Sequence, residues 1–596
     1  MELQQDINKQ FVQQRLNVLR YPVLLIFLVL IARLWQLQIL HGPEYTVKAE
    51  NNRVRTIDLA APRGIISDRE GRTLAENRSS FTVYLYRESI KDENATIEFL
   101  ADELGLDPEE VKTKLTRSKK TGLFRPIPVK EAAGVEDISV IEAQRREYPE
   151  IQVLPEPRRL YRYGNLASHL IGYVGEITEA ELGQQQFPSA EAGSLVGQSG
   201  IERFYNECLV GRQGERLALV DSRGREVGLL EDEKSPVIGG EVRLTLDLDV
   251  QLAAEKALEG KVGAVVAMNP LNGQILAMAS APSFDPNAFS TRLSYDDWQA
   301  LLEDPDHPMQ NRCIQNAYAP GSIFKLIMAE AGLAEKVLDN NTSVVCTGSK
   351  VYFGRSFGCG SKEGHGRVRL EEAIARSCNI FFYDLGLKLG ISKISEYAGL
   401  LGLGDQTGID LPGERSGIVP SQEWKERTQG EPWYPGETIP VSIGQGAIST
   451  TPLQILRAVS VIANGGDLVT PHLLLHADRK SVETDWPLQH IPVLEDDIRK
   501  IREGMWHGVN DGGTGHNAAI PGRDICGKTG TAQVMSRETE KRFPGAAKDH
   551  AWFAGFSSKE NPEIAVVVFV EHGGQGGVVA APLAREIFKA YFENRE

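Results

Sequence analysis

The chain has 596 residues, roughly four typical domain lengths, so two to four domains are expected and one small binding module is excluded. Hydrophobic residues at 41% and charged residues at 24% are those of an ordinary globular protein and exclude a disordered, collagen-like or many-spanning membrane chain. Lys plus Arg total 65 against 81 Asp plus Glu, a net charge of −16 with no strongly basic block, so nucleic acid is excluded as a partner.

From Tyr21 to Ala32 the sequence YPVLLIFLVLIA carries no charge. Its continuation to Leu40 makes a helix of roughly 30 Å, about one hydrocarbon core, so residues 21–40 are expected to span a membrane once. Lys9, Arg15 and Arg20 precede it; the positive-inside rule then keeps residues 1–20 in the cytoplasm and puts everything after Leu40 outside. Arg33 must snorkel to the outer interface or face a partner helix. A cleaved signal peptide or a buried soluble helix is the competing reading, against which no small-x-small cleavage site follows.

Residues 41–245 read as a mixed, β-rich module. Arg53 to Ala60 alternates like a strand, and the segment from Ala61 to Tyr86 supplies further strands around an Asp68 to Gly71 turn. A helical insert is expected at about 76–175, with Asp107 as N-cap and Pro108 opening its second helix. Gly197 to Asp221 alternates glycines with short apolar runs, and Ser235 to Gly240 reads as a linker. With no nucleophile and base at motif spacing, this module reads as a spacer or docking platform.

Residues 246–596 change texture. Gly263 to Ser280 reads as two apolar strands around an Asn269 to Gly273 turn, with further strands of the same sheet in AWFAGFSS and EIAVVVFVEHG. SIFKLIMAEAGLAEKV, EEAIARSCNIFFYDLGLKL and TPLQILRAVSVIANGG read as helices, giving a buried helical layer on a central, largely antiparallel sheet. The fold class is therefore multidomain, α/β and α+β.

Ser322 and Lys325, in APGSIFKL, stand at i and i+3 of a helical start and so share a face. A serine hydroxyl is a weak nucleophile, and a lysine whose pKa is lowered by burial can take its proton. Such an SxxK pattern occurs by chance about twice in a chain of this size. Ser377, Cys378 and Asn379 follow, then Lys528, Thr529 and Gly530 in DICGKTGTAQV, a predicted strand. Gly530 leaves room for a peptide at the strand edge, while the Lys528 ammonium and the hydroxyls of Thr529 and Thr531 suit a carboxylate. Ser377 and Asn379 taken alone also fit an ordinary polar helix surface.

This ordered triple resembles the signature of penicillin-binding proteins and serine β-lactamases. Arg63 to Ala75, Gly197 to Asn206 and Ser442 to Gln454 look like the N-terminal module and transpeptidase of a class B penicillin-binding protein. Glu156 to Ile177 and Gly364 to Val368 look most like its elongation branch, penicillin-binding protein 2. The resemblance implies a 41–245 pedestal or dimerisation-type domain and a 246–596 transpeptidase domain. It implies a single-pass inner-membrane enzyme facing the periplasm, which cross-links peptidoglycan stem peptides, is acylated by β-lactams, and works beside a polytopic SEDS-type glycosyltransferase. No organic cofactor and no glycosyltransferase domain of its own are expected. Residue by residue, Ser322 becomes the nucleophile, Lys325 the general base, and Ser377 a proton relay aided by Lys528. Lys528 keeps its charge, Asn379 binds the stem-peptide amide, Thr529, Gly530 and Thr531 bind substrate, and the backbone N–H groups of Ser322 and Thr531 form the oxyanion hole. Rival readings are a division-specific class B enzyme, a tethered β-lactamase, a penicillin sensor and a silent scaffold. The first shares the same chemistry; the others lack a deacylating carboxylate motif, lack an inward signalling segment, or conflict with intact Ser322, Lys325 and Lys528.

Cys346, Cys359, His365 and Cys378 fall between or at the first two motifs, in a segment with six glycines from Gly348 to Gly366. Zn²⁺ takes four tetrahedral sulfur and nitrogen ligands, and a loop without its own core can fold around it, so a structural zinc site is expected. In relatives of the resembled type a metal lies between the SxxK and SxN motifs. The match is closest at Cys359, His365 and Cys378, and an aspartate can stand at the position of Cys346. A periplasmic disulfide or plain buried thiols are the alternatives.

Overall fold

The computed structural model describes residues 2–45, 54–118, 126–184, 186–188, 190–191, 193–220, 226–290, 293–478, 486–534, 548–593 and 595. Met1, Arg53 and Asp221, which end three expected segments, lie outside the described residues, as do 46–52 and 119–125 of the expected pedestal. The chain divides into two compact units, one of Met1–Ala61, Ser79–Glu156 and Arg212–Val237, the other of Pro62–Arg78, Pro157–Gly211 and Ile238–Glu596.

In the first unit a helix runs from Glu2 to Trp35 and widens into one i→i+5 turn over Gln36–Leu40. Val18–Leu40 has a mean hydropathy of 2.3 and no buried residue, long and apolar enough to cross a membrane. Arg33 Nη1 donates to Gln36 Oε1 at 2.7 Å, so its charge has a partner one turn along the same helix. Val54–Leu59, Gly214–Val220 and Glu226–Lys234 form a three-stranded antiparallel sheet with Gly214–Val220 in the middle. The helical insert holds Glu93–Leu104, Pro108–Ser118 and Val135–Ala143. Asp92 caps the first, accepting from the N–H groups of Asn94 and Ala95, and Asp107 accepts from Glu109 N–H at the start of the second. Ile97, Leu100, Val111 and Leu115 meet Val83, Ile127 and Ile151 in a core of their own.

The second unit is built on five antiparallel strands: β1 Gly263–Met268, β2 Ile275–Ala281, β3 Ile525–Ala532, β4 His550–Ser557 and β5 Ile564–Val570. Their order is β2-β1-β5-β4-β3, which leaves β3 on an edge. The helices that concern the site are α1 Leu248–Ala257, α2 Lys325–Ala334, α3 Leu370–Ala375, α4 Asn379–Leu400, α5 Pro452–Asn464, α6 Glu495–Asn510 and α7 Gly576–Glu593. Every residue of β1 and β5 is buried, because both faces of the sheet are covered. Val566 and Val568 join the α1 and α7 side chains, while Val567 and Phe569 join α2, α4 and α5. The expected helical layer is present, with a second layer, α1 and α7, on the opposite face.

Part of the N-terminal half belongs to this second unit. Ile66–Ser67 pairs with the start of Thr73–Leu85 across the expected turn, where Gly71 N–H donates to Asp68 O, and pairs in parallel with Val242–Leu244. The fully buried Glu202 accepts from Arg63 Nε at 2.5 Å and Arg159 Nε at 2.6 Å. Burial pushes that carboxyl upward, yet Arg159 and Arg63 hold it below the usual range. The expected linker at Ser235 to Gly240 is not loose at its glycines: Gly239 N–H donates to Pro62 O and Gly240 N–H to Cys208 O, at 3.0 and 2.8 Å.

Candidate active site

Pro320 and Gly321 turn the chain so that Ser322 sits in a tight 3₁₀ turn, Gly321–Phe324, and Lys325 opens α2. The expected single helix through both residues is thus two kinds of turn. Gly321 has φ +54°, and a Cβ there would stand 2.8 Å from Thr531 O; a Cβ at Gly444 would stand 2.1 Å from Gly321 O. The first approach seats the Ser322 turn against β3, the second against the Gly444 loop. Lys325 is fully buried, and burial pushes its amine down to about 8 although the Cys359 and Cys378 thiols oppose the shift. Its Nζ lies 2.9 Å from Ser377 O, 3.1 Å from Ser377 Oγ and 2.7 Å from Asn379 Oδ1; the ammonium donates to all three, and the neutral amine, with two hydrogens, to two of them.

The predicted helix EEAIARSCNIFFYDLGLKL is broken between α3 and α4. Ser377 sits in the break with φ +55°, a left-handed conformation that costs a non-glycine residue on the order of 1 kcal/mol. Cys378 N–H closes the turn onto Ala373 O at 2.9 Å. The break lifts Ser377 Oγ off the helix surface to accept from Lys325 Nζ on one side and from Lys528 Nζ, at 2.9 Å, on the other. Asn379, expected to bind the stem-peptide amide, is also tied within the protein: Oδ1 accepts from Lys325 Nζ, and Nδ2 donates to Gly358 O at 3.2 Å.

Lys528, Thr529, Gly530 and Thr531 lie on β3, paired with Ala554, Phe553, Trp552 and Ala551 of β4. Lys528 is fully buried, and burial followed by the Lys325 charge pushes it well below the ordinary lysine value. Two amines sharing one hydroxyl in a dry site cannot both remain ammonium, so the expected charge on Lys528 requires a neutral Lys325. Gly530 also has a steric reason within the protein. A Cβ there would stand 2.9 Å from Trp552 Cβ and 3.0 Å from Pro320 O, so the missing side chain admits the Ser322 turn. Thr531 N lies 3.2 Å from the Cβ position of Gly321, so the backbone just before Ser322 packs against the backbone of Thr531.

Cys346, Cys359, His365 and Cys378 converge, their ligand atoms all within 4.8 Å of one another. Two hairpins shape the loop, Val344–Cys346 with Gly366–Val368 and Ser349–Tyr352 with Arg355–Gly358. All three cysteines are buried and unbridged, so the disulfide alternative is not formed. The Cys378 thiol and then the Asn379 N–H hold the Cys359 thiol down to about 4, against the opposing effect of burial. Three sulfurs and one imidazole nitrogen this close together fit the ligand set of a tetrahedral metal site.

Sequence reasoning missed Gln445, whose Nε2 donates to Thr531 O at 3.3 Å, and Thr514, whose Oγ1 lies 2.7 Å from Thr529 Oγ1. The glycine-rich run before β3, Asp511 to Gly515, is the signal that marks Thr514.

Residues 263–589 match the family described as penicillin binding protein transpeptidase domain, and residues 58–244 the penicillin-binding protein dimerisation domain. The peptidoglycan D,D-transpeptidase MrdA of Acinetobacter baumannii is 36% identical over 96% of this chain and 87% of its own length. The Escherichia coli K12 protein of the same name is 34% identical over 95% and 92%. Among solved structures, Helicobacter pylori PBP2 in complex with MreC superposes with a TM-score of 0.79 at 30% identity, covering 91% of this chain and 99% of that one. Pseudomonas aeruginosa PBP2 in complex with WCK 5153 gives 0.68 at 30% identity, covering 90% and 96%.

Proposed function

The chain belongs to the elongation-type class B penicillin-binding proteins and is a serine peptidoglycan D,D-transpeptidase, and from that premise we propose how its own residues divide the work. Ser322 Oγ attacks the penultimate D-Ala carbonyl carbon as neutral Lys325 takes its proton. The oxyanion forms between the N–H groups of Ser322 and Thr531. On collapse, the C–N bond breaks and Ser377 passes a proton to the departing D-Ala amine, drawing on Lys325 and Lys528. An acceptor amine then attacks the ester, gives up its proton along the same path, and leaves Ser322 as hydroxyl. Thr529, Thr531 and the Lys528 amine face the terminal carboxylate, whose negative charge favours the ammonium form of Lys528. Gly530 keeps β3 flush with the Ser322 turn, and Asn379 holds Lys325 while offering its remaining amide hydrogen to the stem peptide.

The observation that carries this reading is the placement of Ser377 Oγ between two buried amines, 3.1 Å from Lys325 and 2.9 Å from Lys528. Residues 1–20 form a cytoplasmic tail, 21–40 the anchor, 41–245 the pedestal with its insert at about 76–175, and 246–596 the periplasmic transpeptidase domain. Cys346, Cys359, His365 and Cys378 would hold a structural zinc ion, which would tie the loop to the segment of Ser377 and Asn379. A related chain, 32% identical with a TM-score of 0.72, belongs to a peptidoglycan synthase complex that coordinates polymerization and crosslinking. It supports a glycan-polymerising partner, which we take to be a SEDS-type glycosyltransferase bound by the anchor and pedestal. Intact mass of the full chain before and after benzylpenicillin tests the site: one adduct, lasting many minutes and absent in Ser322→Ala, is expected. Labelling of another serine would overturn the assignment, and release within seconds would favour hydrolysis over transfer.

A further inference from the structure

Thr529 must turn its hydroxyl hydrogen outward if it is to bind a carboxylate, and nothing on β3 itself compels that. A threonine hydroxyl has one hydrogen and two lone pairs, and Thr529 Oγ1 already shares a 2.7 Å hydrogen bond with Thr514 Oγ1. Only one of the two donates. If Thr529 donates to Thr514, its hydrogen is spent inside the protein; if Thr514 donates, the Thr529 hydrogen is free. A carboxylate only accepts, so its arrival selects the order Thr514 to Thr529 to carboxylate, and a chain of hydroxyls polarised in one direction binds an anion more strongly than one hydroxyl.

The Thr514 backbone is held for this task. Its N–H donates to Ala375 O at the end of α3, and Gly515 N–H donates to Gly508 O of α6. A Cβ at Gly513 would stand 2.5 Å from Gly508 Cα, and one at Gly577 would stand 2.2 Å from Thr514 O, so only glycine lets the loop close on both sides. Thr531 is prepared in the same sense, since its Oγ1 accepts from Gly576 N–H at 3.4 Å and keeps its own hydrogen for the ligand.

We propose that Thr514 is a positioning residue for recognition of the substrate's terminal carboxylate, donating to Thr529 Oγ1 so that the Thr529 hydroxyl points at the anion. This rests on the carboxylate role given above to Thr529. The test uses the detergent-purified full chain with a thioester donor ending in a carboxylate and the same donor ending in a primary amide. Thr514→Val, which keeps shape but removes the hydroxyl, is expected to raise KM for the carboxylate donor about tenfold. It should change kcat and the amide donor by less than about twofold, and Thr514→Ser should restore KM. Equal losses on both donors, or no loss on either, would overturn the proposal. Thr529→Val separates the two layers: if it impairs the carboxylate donor and Thr514→Val does not, only the positioning role falls. If it leaves the preference for a carboxylate intact, the role of Thr529 falls and the proposal with it.

Discussion

Lys325 and Lys528 compete for charge in one dry site, and this sets the pH at which the serine can act. With burial holding the Lys325 amine near 8, the fraction able to accept a proton grows as pH rises. The acylation rate constant with benzylpenicillin is therefore expected to climb about tenfold per pH unit below that value and level off above it. Stopped-flow rates between pH 5.5 and 9 check this, and a flat profile would remove Lys325 as the base. On the same helix, Glu330 is 1% exposed and neither carboxyl oxygen has a hydrogen-bond partner among the described residues. Burial, with Asp497 nearby, raises its pKa to about 7. A carboxyl raised on folding favours the folded state below its unfolded value near 4.5 and loses that advantage as pH climbs to about 7. Glu330→Gln is expected to stabilise the protein above pH 7 by about 2–3 kcal/mol and to flatten the fall in melting temperature from pH 4.5 to 7. Scanning calorimetry across that range is the measurement, and a variant that melts no higher at pH 8 would contradict it.

Between elements, the site depends on backbone meeting backbone. Gly321→Ala would force a Cβ toward Thr531 O from a left-handed residue. An active-site displacement of the order of 1 Å costs about a hundredfold in rate, so acylation should fall by about that factor with little change in far-UV dichroism. Near wild-type acylation would show that the Ser322 turn tolerates a gap from β3. The three motifs themselves were legible because their chemistry lies in the side chains they spell, and β1, β2, β4 and β5 announced themselves as apolar runs around turn residues. The break at Ser377 was not legible. AIARS and CNIFF both fit helical spacing, and a left-handed serine has no compositional mark. Nor was the steric reason for Gly530 visible, since Pro320 O and Trp552 Cβ meet it only in the folded sheet. The covering layer of α1 and α7 escaped notice because α7 contains Pro582 and opens on glycines, signals that argue against a helix.

At the scale of the molecule, the Cys and His cluster joins a surface loop to the catalytic break, since Cys378 lies between Ser377 and Asn379. The purified full chain is expected to carry one zinc ion by native mass spectrometry or metal analysis. Cys359→Ser and His365→Ala should lose it together with several degrees of melting temperature and most acylation, because structural sites of this kind convert metal binding into folding free energy. A metal-free wild type of full activity would refute the assignment. The place of β3 at the edge of its sheet, among the described residues, limits how such an enzyme can evolve under drug selection. Mutation replaces side chains, yet an edge recognises an extended ligand through amides and carbonyls that every genotype retains. A lineage exposed to a mimic of its own substrate therefore cannot delete the recognition surface. Escape has to come from differences that the two ligands do not share, in bulk beside the strand or in the lifetime of the ester, each a difference of free energies and not the loss of a contact.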